Sequence, residues 1–382
     1  MKICLDLSPV VHRKAGLATY ARQIALHMLG QGGAQLQAFH YGAQVVAPLD
    51  GPLAEIPQRV IPQSARPWRL RVAAHTLAGL PMDDAFGGAL RGFDIFHATE
   101  HLLPPLKHAK SVFTFHDAIY ALFPEHHLPM NRAFLGLMMP RFLRRANAVI
   151  AVSECSKRDA ARLYGIDPDR IQVIYEAADD ALAPVLDEAA LAAARQKYHL
   201  PPRYLLCLGT IEPRKNLPAL FQAFRDLIAE PQFADVHLAL VGRKGWMFQP
   251  TLDAIAQLGL TERVTLTDYV ASADLPALLS GASAFVFPSL YEGFGLPPLE
   301  AMACGAPVIC SNAASLPEVV GDAALLFDPR DVTALRPAIA RVLSDPALAR
   351  ALREKGLAQA KKFSWQRAAQ ETFDVYRRVA QG

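Results

Sequence analysis

At 382 residues the chain is too long for one small core and suits two domains. A formal net charge of only +3 gives no general nucleic-acid footprint, and no window approaches 18 consecutive apolar residues, so nothing in the sequence spans a bilayer. The five cysteines (Cys4, Cys155, Cys207, Cys304, Cys310) form no CxxC pair and no metal-ligand spacing, and most sit among apolar residues, as reduced thiols of a cytosolic protein do.

Short apolar runs alternate with longer helical patterns throughout, which argues for α/β layers around parallel sheets. The chain opens on a strand at Lys2–Leu7 without a signal-peptide profile, so a cytoplasmic location is expected. Gly16 follows in a loop, with a helix starting there and continuing through Leu29; the GxGxxG fingerprint is absent, and a plain turn glycine explains it as well as a ligand-facing one. Further strands are expected at Phe93–His97, Ser111–Phe115, Ala148–Val152 and Ile171–Tyr175. The second of these ends in His116-Asp117, a polar pair aimed at the carboxyl edge of the sheet; a hydrogen-bonded histidine with Asp117 capping the next turn explains it equally well.

Two stretches of the first half carry basic but no acidic residues. Over 56–82 the charges are Arg59, Arg66, Arg69 and Arg71, interleaved with Trp68 and Leu70; over 126–153 they are Arg132, Arg141, Arg144 and Arg145. Amphipathic helices packed on a core account for both, and so does a peripheral membrane face. An alanine-rich, acidic stretch at 179–198 is then interrupted by Pro201-Pro202. The expected division is a first domain at 1–180, a linker at 181–200, a second domain at 201–362 and a final amphipathic helix within 363–382.

The second half restarts with strands at Tyr204–Gly209, His237–Val241, Val264–Leu266, Ala284–Phe287 and Pro307–Ile309, and with a helix at Leu217–Ala229 capped by Asn216. Between the first strand and that helix lie Arg214 and Lys215. Adjacent cations at a helix start oppose the helix dipole, so they make better sense holding a diphosphate than as structure, although exposed Arg-Lys pairs are common. The run Phe287–Val308 says most. Its strand leads into Gly293-Phe294-Gly295, where glycine permits positive φ, and Pro297-Pro298 fit only a first helical turn, so a helix is expected from Leu296 through Ala303. Strand, glycine turn and helix together expose unpaired N–H groups over 293–296 at the positive end of a dipole, a ready diphosphate site. Glu292 lies on the turn and Glu300 just inside the helix; acidic residues there are also favoured by the dipole alone.

This run resembles the donor-site signature of the retaining glycosyltransferases of family 4. Their two glutamates separated by seven residues fall on Glu292 and Glu300, and Pro288-Ser289, Gly293-Phe294-Gly295 and Glu300-Ala301-Met302 match as well. The resemblance implies a GT-B fold: two Rossmann-like, doubly wound domains facing a cleft, with the C-terminal helix crossing back to the first domain. It implies that Arg214 and Lys215 hold the leaving diphosphate, with Thr210 where many members have arginine. Glu292 would bind sugar hydroxyls, Glu300 the ribose, and the backbone at Tyr269-Val270 the nucleobase. Gly16 and His116 would lie on the donor from the first domain, His116 orienting the sugar rather than attacking it. The implied donor is a nucleotide-diphosphate sugar, GDP-linked mannose first and otherwise UDP-linked, with no cofactor and no divalent metal. The implied acceptor is a glycan or lipid-linked glycan of a bacterial surface polysaccharide, met at the inner face of the cytoplasmic membrane. An epimerase or phosphorylase on the same architecture and a non-catalytic two-domain sugar binder are the alternatives.

Overall fold

The fold is that of a computed structural model, which describes residues 1–29, 31, 33–42, 47–331 and 333–381. Its strands, in chain order, are β1 Lys2–Asp6, β2 Gln35–Tyr41, β3 Gln58–Ile61, β4 Ile95–Ala98, β5 Lys110–Phe115, β6 Ala148–Ala151, β7 Ile171–Val173, β8 Tyr204–Leu208, β9 His237–Val241, β10 Val264–Asp268, β11 Ala284–Phe287, β12 Val308–Ser311 and β13 Ala324–Phe327. They form two sheets, β3-β2-β1-β4-β5-β6-β7 and β10-β9-β8-β11-β12-β13, and every pairing is parallel. Strand order reverses between β1 and β4 in one sheet and between β8 and β11 in the other. In a doubly wound sheet such a reversal opens a crevice at the carboxyl ends of the two strands, where ligands collect.

The continuous apolar runs are explained by burial on both faces. In the second sheet alternate residues go to opposite cores: Leu205, Cys207, Leu238, Leu240 and Val286 to one, and Tyr204, Leu206, Ala239, Val241, Phe285 and Phe287 to the other. The strands that the sequence does not announce, β2, β3 and β13, lie at or next to a sheet edge. They are polar or short there, QLQAFHY, QRVI and ALLF, so the apolar run that marks a central strand is missing.

Chain contacts divide the molecule into two units. The first holds Met1–Leu122, Pro129–Glu176 and the chain from Ser364; the second holds Phe123–Leu128 and Ala177–Phe363. The stretch 181–200, expected as a linker, instead belongs to the second unit: Glu188–Lys197 is a helix capped by the Asp187 side chain, and Leu191 and Ala194 pack into the core around Tyr204. Phe123–Leu128 also goes to the second unit, where Trp246 donates its Nε1–H to the His126 carbonyl at 2.7 Å. The last helix, Trp365–Gln381, belongs to the first unit, where Trp365 and Tyr376 are fully buried. Two local expectations are corrected. Gly16 lies within the first turn of the helix Ala15–Met28, not in a loop. Asn216 takes φ 54° and does not cap the helix Leu217–Ile228 with its side chain, which donates instead to the Pro329 carbonyl at 3.2 Å.

Candidate active site

In the second unit the loops after β8 and β11 meet at the reversal of strand order. The loop after β8 is built on close backbone approach. A Cβ on Gly242 would sit 2.0 Å from the Gly209 carbonyl oxygen, and one on Gly245 would sit 2.6 Å from Thr210 Cγ2. Only glycine fits either position, and the resulting contact lets Ile211 N–H donate to the Arg243 carbonyl at 2.8 Å. Thr210 is therefore held by its methyl group in a loop-to-loop contact. Beyond it, Leu290 N–H donates to the Arg214 carbonyl at 2.9 Å, which ties the loop after β8 to the loop after β11.

That tie brings together Arg214, Lys215 and Glu292. Lys215 Nζ donates to Glu292 Oε1 at 2.8 Å and lies 4.6 Å from the centre of the Phe287 ring; Arg214 pairs with the other carboxylate oxygen at 2.5 Å. Ser289 Oγ donates to Glu292 Oε1 at 2.6 Å. Arg214 also pairs with Glu212 and donates to the Tyr291 carbonyl at 2.9 Å. The two cations are thus balanced by two carboxylates, and Lys215, Glu212 and Glu292 are all buried. Burial is the largest influence on the Glu292 carboxyl and would raise its pKa; the charges of Arg214 and Lys215 and the hydrogen bonds from Lys215 and Ser289 together outweigh it and hold the group down at about 2. Burial, then the neighbouring Arg214 charge, push the Lys215 ammonium below its usual value.

The glycine turn behaves as its sequence requires. Gly295 takes φ 113°, and a Cβ there would meet Leu316 Cδ2 at 2.7 Å. Ser315 Oγ donates to the carbonyls of Glu292, at 2.9 Å, and Phe294, at 2.6 Å, which fixes the turn from outside. Phe294 is buried edge-on against Phe363, with ring centres 5.7 Å apart. The helix Leu296–Ala303 starts where Pro297-Pro298 demand, and neither Gly295 nor Leu296 donates its N–H to a backbone carbonyl among the described residues. Because Pro297 and Pro298 have no N–H, the donors at this helix start are the amides before them. Gly293 lies on the same turn, and Glu300 is half-buried one turn along the helix. At the end of β10, Val270 is a core residue, whereas Tyr269 is exposed with the Arg243 guanidinium 5.1 Å from its ring centre.

In the first unit, His116 follows β5 and is buried. Its Nε2–H donates to the Thr99 carbonyl at 2.9 Å, so Nε2 carries the proton, and Nδ1 faces Glu176 Oε1 at 3.5 Å. The Tyr20 ring stands edge-on to it with centres 4.9 Å apart. Asp117 caps the next turn, accepting from Ile119 N–H at 3.0 Å. Gly16 is exposed at the start of its helix, in a different part of this unit's sequence from the β5 end.

Comparison with known proteins decides the family. Residues 15–182 match the family described as Glycosyltransferase Family 4, and residues 192–359 match Glycosyl transferases group 1. O-antigen chain mannosyltransferase B of Escherichia coli is 38% identical over 293 residues, 76% of each chain. The chain belongs to glycosyltransferase family 4. The serotype-specific mannosyltransferase WbdA of Escherichia coli is 36% identical over 277 residues, 71% of this chain but 34% of that longer protein. Among solved structures, Anabaena HepE in complex with UDP and glucose superposes with a TM-score of 0.72 over 98% of this chain and 99% of the other, at 22% identity. The fold is accordingly that of GT-B glycosyltransferases.

Several residues of this glycosyltransferase's sites are not singled out by sequence reasoning. Glu212, Ser289 and Ser315 surround the Glu292 cluster, and Glu176 faces His116; each is a common residue type whose role comes only from its partners in the fold. The signal that was available for Glu212 is its place between a strand end and the Arg-Lys pair.

Proposed function

We propose that this glycosyltransferase moves a hexosyl group, mannosyl first, from a nucleoside-diphosphate sugar to a glycan or lipid-linked glycan acceptor, with retention of configuration. The observation that carries the reading is the meeting of Arg214, Lys215 and Glu292 at the strand-order reversal of the second sheet, beside the glycine-started helix Leu296–Ala303. A diphosphate at that helix start would accept from the Gly295 and Leu296 amides and draw the two cations away from Glu292. The released carboxylate would then accept from hydroxyls of the donor sugar, and Glu300, one turn along the helix, from those of the ribose. As the sugar–phosphate bond breaks, negative charge grows on the leaving phosphate, and fixed cations and amides stabilise it without solvent reorganisation. The same phosphate oxygen takes the proton of the attacking acceptor hydroxyl on the face it leaves. His116 would orient the sugar rather than attack it, its ring held by the Nε2–H donated to the Thr99 carbonyl and by Glu176 facing Nδ1.

Names of relatives support the mannosyl donor and a polysaccharide product, since O-antigen chain mannosyltransferase B is among them. HepE was solved with UDP and glucose, which supports a nucleotide-linked donor. No helix among the described residues is long and apolar enough to cross a membrane. Two helices of the first unit nevertheless fit a peripheral contact with an anionic bilayer at its inner face. Ala65–Ala78 exposes Arg66, Leu70 and Leu77, and Pro129–Arg145 exposes Met130, Leu137 and Arg141; Arg69 joins the helices through Asn131 at 2.6 Å and the Phe134 ring at 4.2 Å.

Thermal melting with UDP, GDP, ADP, TDP and their common sugars tests the donor reading. One nucleotide should raise the melting temperature by mass action, its sugar should be turned over in the presence of EDTA, and silence across the panel would overturn the reading. Co-sedimentation with anionic vesicles at low salt tests the membrane face, which fails if no protein sediments.

A further inference from the structure

The last helix meets the first sheet through a buried line of polar side chains. His97 on β4 is fully enclosed: its Nδ1 is hydrogen-bonded to the Tyr376 hydroxyl of the helix Trp365–Gln381 at 2.6 Å, and its Nε2 to the Thr114 hydroxyl of β5 at 2.7 Å. Thr114 Oγ1 is hydrogen-bonded in turn to the Tyr20 hydroxyl, from the helix Ala15–Met28, at 2.8 Å. The Tyr20 ring then stands perpendicular to the His116 ring, with centres 4.9 Å apart. One aromatic side chain therefore joins the end of the polar line to the histidine that follows β5. Tyr20 is 1% exposed, and His97, Thr114 and Tyr376 are not exposed at all.

Docking of the helix does not require this line. Trp365, Ala369 and Val375 are buried apolar residues of the same helix, and Trp365 packs on the Tyr20 ring with centres 6.1 Å apart. A phenylalanine at 376 would bury as much apolar surface. Polar groups in a dry core are costly unless each is satisfied, and once satisfied they fix one arrangement where apolar packing tolerates several. Burial first, then the like charge of His116, hold His97 down at about 3, so its imidazole is neutral. A neutral imidazole donates from one nitrogen and accepts at the other, so the sense of the bond at Tyr376 sets the sense at Thr114 and what Thr114 offers Tyr20. The way His116 is held gives this a consequence. Its contacts to the Thr99 carbonyl and to Glu176 are made through the two ring nitrogens and leave the ring free to tilt about the line between them. The perpendicular Tyr20 ring restricts that tilt; the His101 ring is farther away, at 6.0 Å.

We propose that Tyr376 of the last helix is a positioning residue for sugar transfer, acting through His97, Thr114 and Tyr20 to fix the tilt of the His116 ring. This assignment rests on the transferase reading above, in which His116 orients the donor sugar. It makes seating of the last helix a condition for a correctly set histidine rather than for the fold of the first unit alone.

The test compares Tyr376→Phe, which removes one oxygen and keeps the ring, with Val375→Ala, which loosens the same helix and leaves the polar line intact. With GDP-mannose as donor, Tyr376→Phe should lose about tenfold in kcat, as when a reacting group is misplaced, with the donor KM little changed. Val375→Ala should lower the melting temperature and keep kcat when assayed well below it. In NMR spectra of the histidine-labelled protein, the His116 ring signals, identified by their loss in His116→Asn, should shift in Tyr376→Phe and stay in place in Val375→Ala. An unchanged kcat or unmoved His116 signals in Tyr376→Phe, or the same changes in both variants, would overturn the proposal. If Tyr376→Phe does not fold, Tyr20→Phe releases the other end of the line while keeping the ring against His116, and the same outcomes are read from it. Failure of the transferase reading looks different: wild-type protein turns over no nucleotide sugar, while the His116 signals still decide whether the last helix sets this ring.

Discussion

Replacing Glu292 by glutamine should weaken the fold and yet tighten the binding of a nucleoside diphosphate. The carboxyl is held from 4.5 down to about 2 against the opposing effect of burial, which corresponds to roughly 3 kcal/mol favouring the charged form beside Arg214 and Lys215. A diphosphate that takes over the same two cations must displace that carboxylate. With a neutral amide in its place no charge has to be displaced, and since a diphosphate needs only part of the interaction the gain should be about 1–2 kcal/mol, on the order of tenfold in Kd. Without nucleotide the same substitution leaves two cations with one carboxylate beside them, Glu212, and should cost about 3–5 kcal/mol of stability. Isothermal titration with GDP and UDP measures the first effect, and thermal melting with and without nucleotide measures the second. The nucleotide-induced rise in melting temperature should be larger in the variant than in wild type, while transfer is lost. Weaker nucleotide binding together with an unaltered melting temperature would refute the reasoning, because it would mean that Glu292 and the diphosphate do not compete for the cations.

Three further outcomes follow from the geometry. Glu300→Ala should weaken nucleotide binding by about 1–3 kcal/mol, as for a lost hydroxyl contact, by titration calorimetry. Gly295→Ala combines φ 113° with a Cβ 2.7 Å from Leu316 Cδ2 and should lower stability by about 1–3 kcal/mol while abolishing nucleotide binding, by urea unfolding and calorimetry. The acid limb of stability should show Glu292 directly. Its folded pKa lies below the unfolded value, so its contribution is present above 4.5 and is lost as pH falls from 4.5 towards about 2; in Glu292→Gln that part of the pH dependence of unfolding should flatten.

What the sequence discloses and what it hides divide along a physical line. The start of the helix at Leu296 is legible because Pro297-Pro298 permit only a first turn, and the strand before it because Ala284–Phe287 is apolar on both faces. Arg214 and Lys215 stand out because adjacent cations are unfavourable where they sit. That Glu292 pairs with both could not be read, since Lys215 lies 77 residues away and only the contact between two loops joins them. Glu100, which pairs with Lys14 in the first unit, is more distant still from its partner, 86 residues, and its own neighbourhood, Ala98-Thr99-Glu100-His101, has no spacing that sets it apart. Gly16 shows the converse error. A lone glycine after a strand invites a turn, but the helix had already begun at Ala15.

The two sheets share one order of strands around their reversal points, so topology alone offers each unit a crevice of the same kind. Charge differentiates them. At the reversal in the second unit, two cations face two carboxylates next to backbone amides, and Glu292 bridges both cations. An incoming diphosphate can replace that one bridge and leave the cluster no worse balanced. At the reversal in the first unit the excess runs the other way: two buried carboxyl groups, Asp6 and Glu100, face one ammonium, Lys14, and burial first, then the like charge of Glu100, push the Asp6 carboxyl up to about 7. A diphosphate brought there would add negative charge to a site where burial and Glu100 already disfavour ionisation of the second carboxyl. By the sign of the charges alone, a diphosphate would meet an electrostatic penalty at the first unit's reversal that it would not meet at the second's.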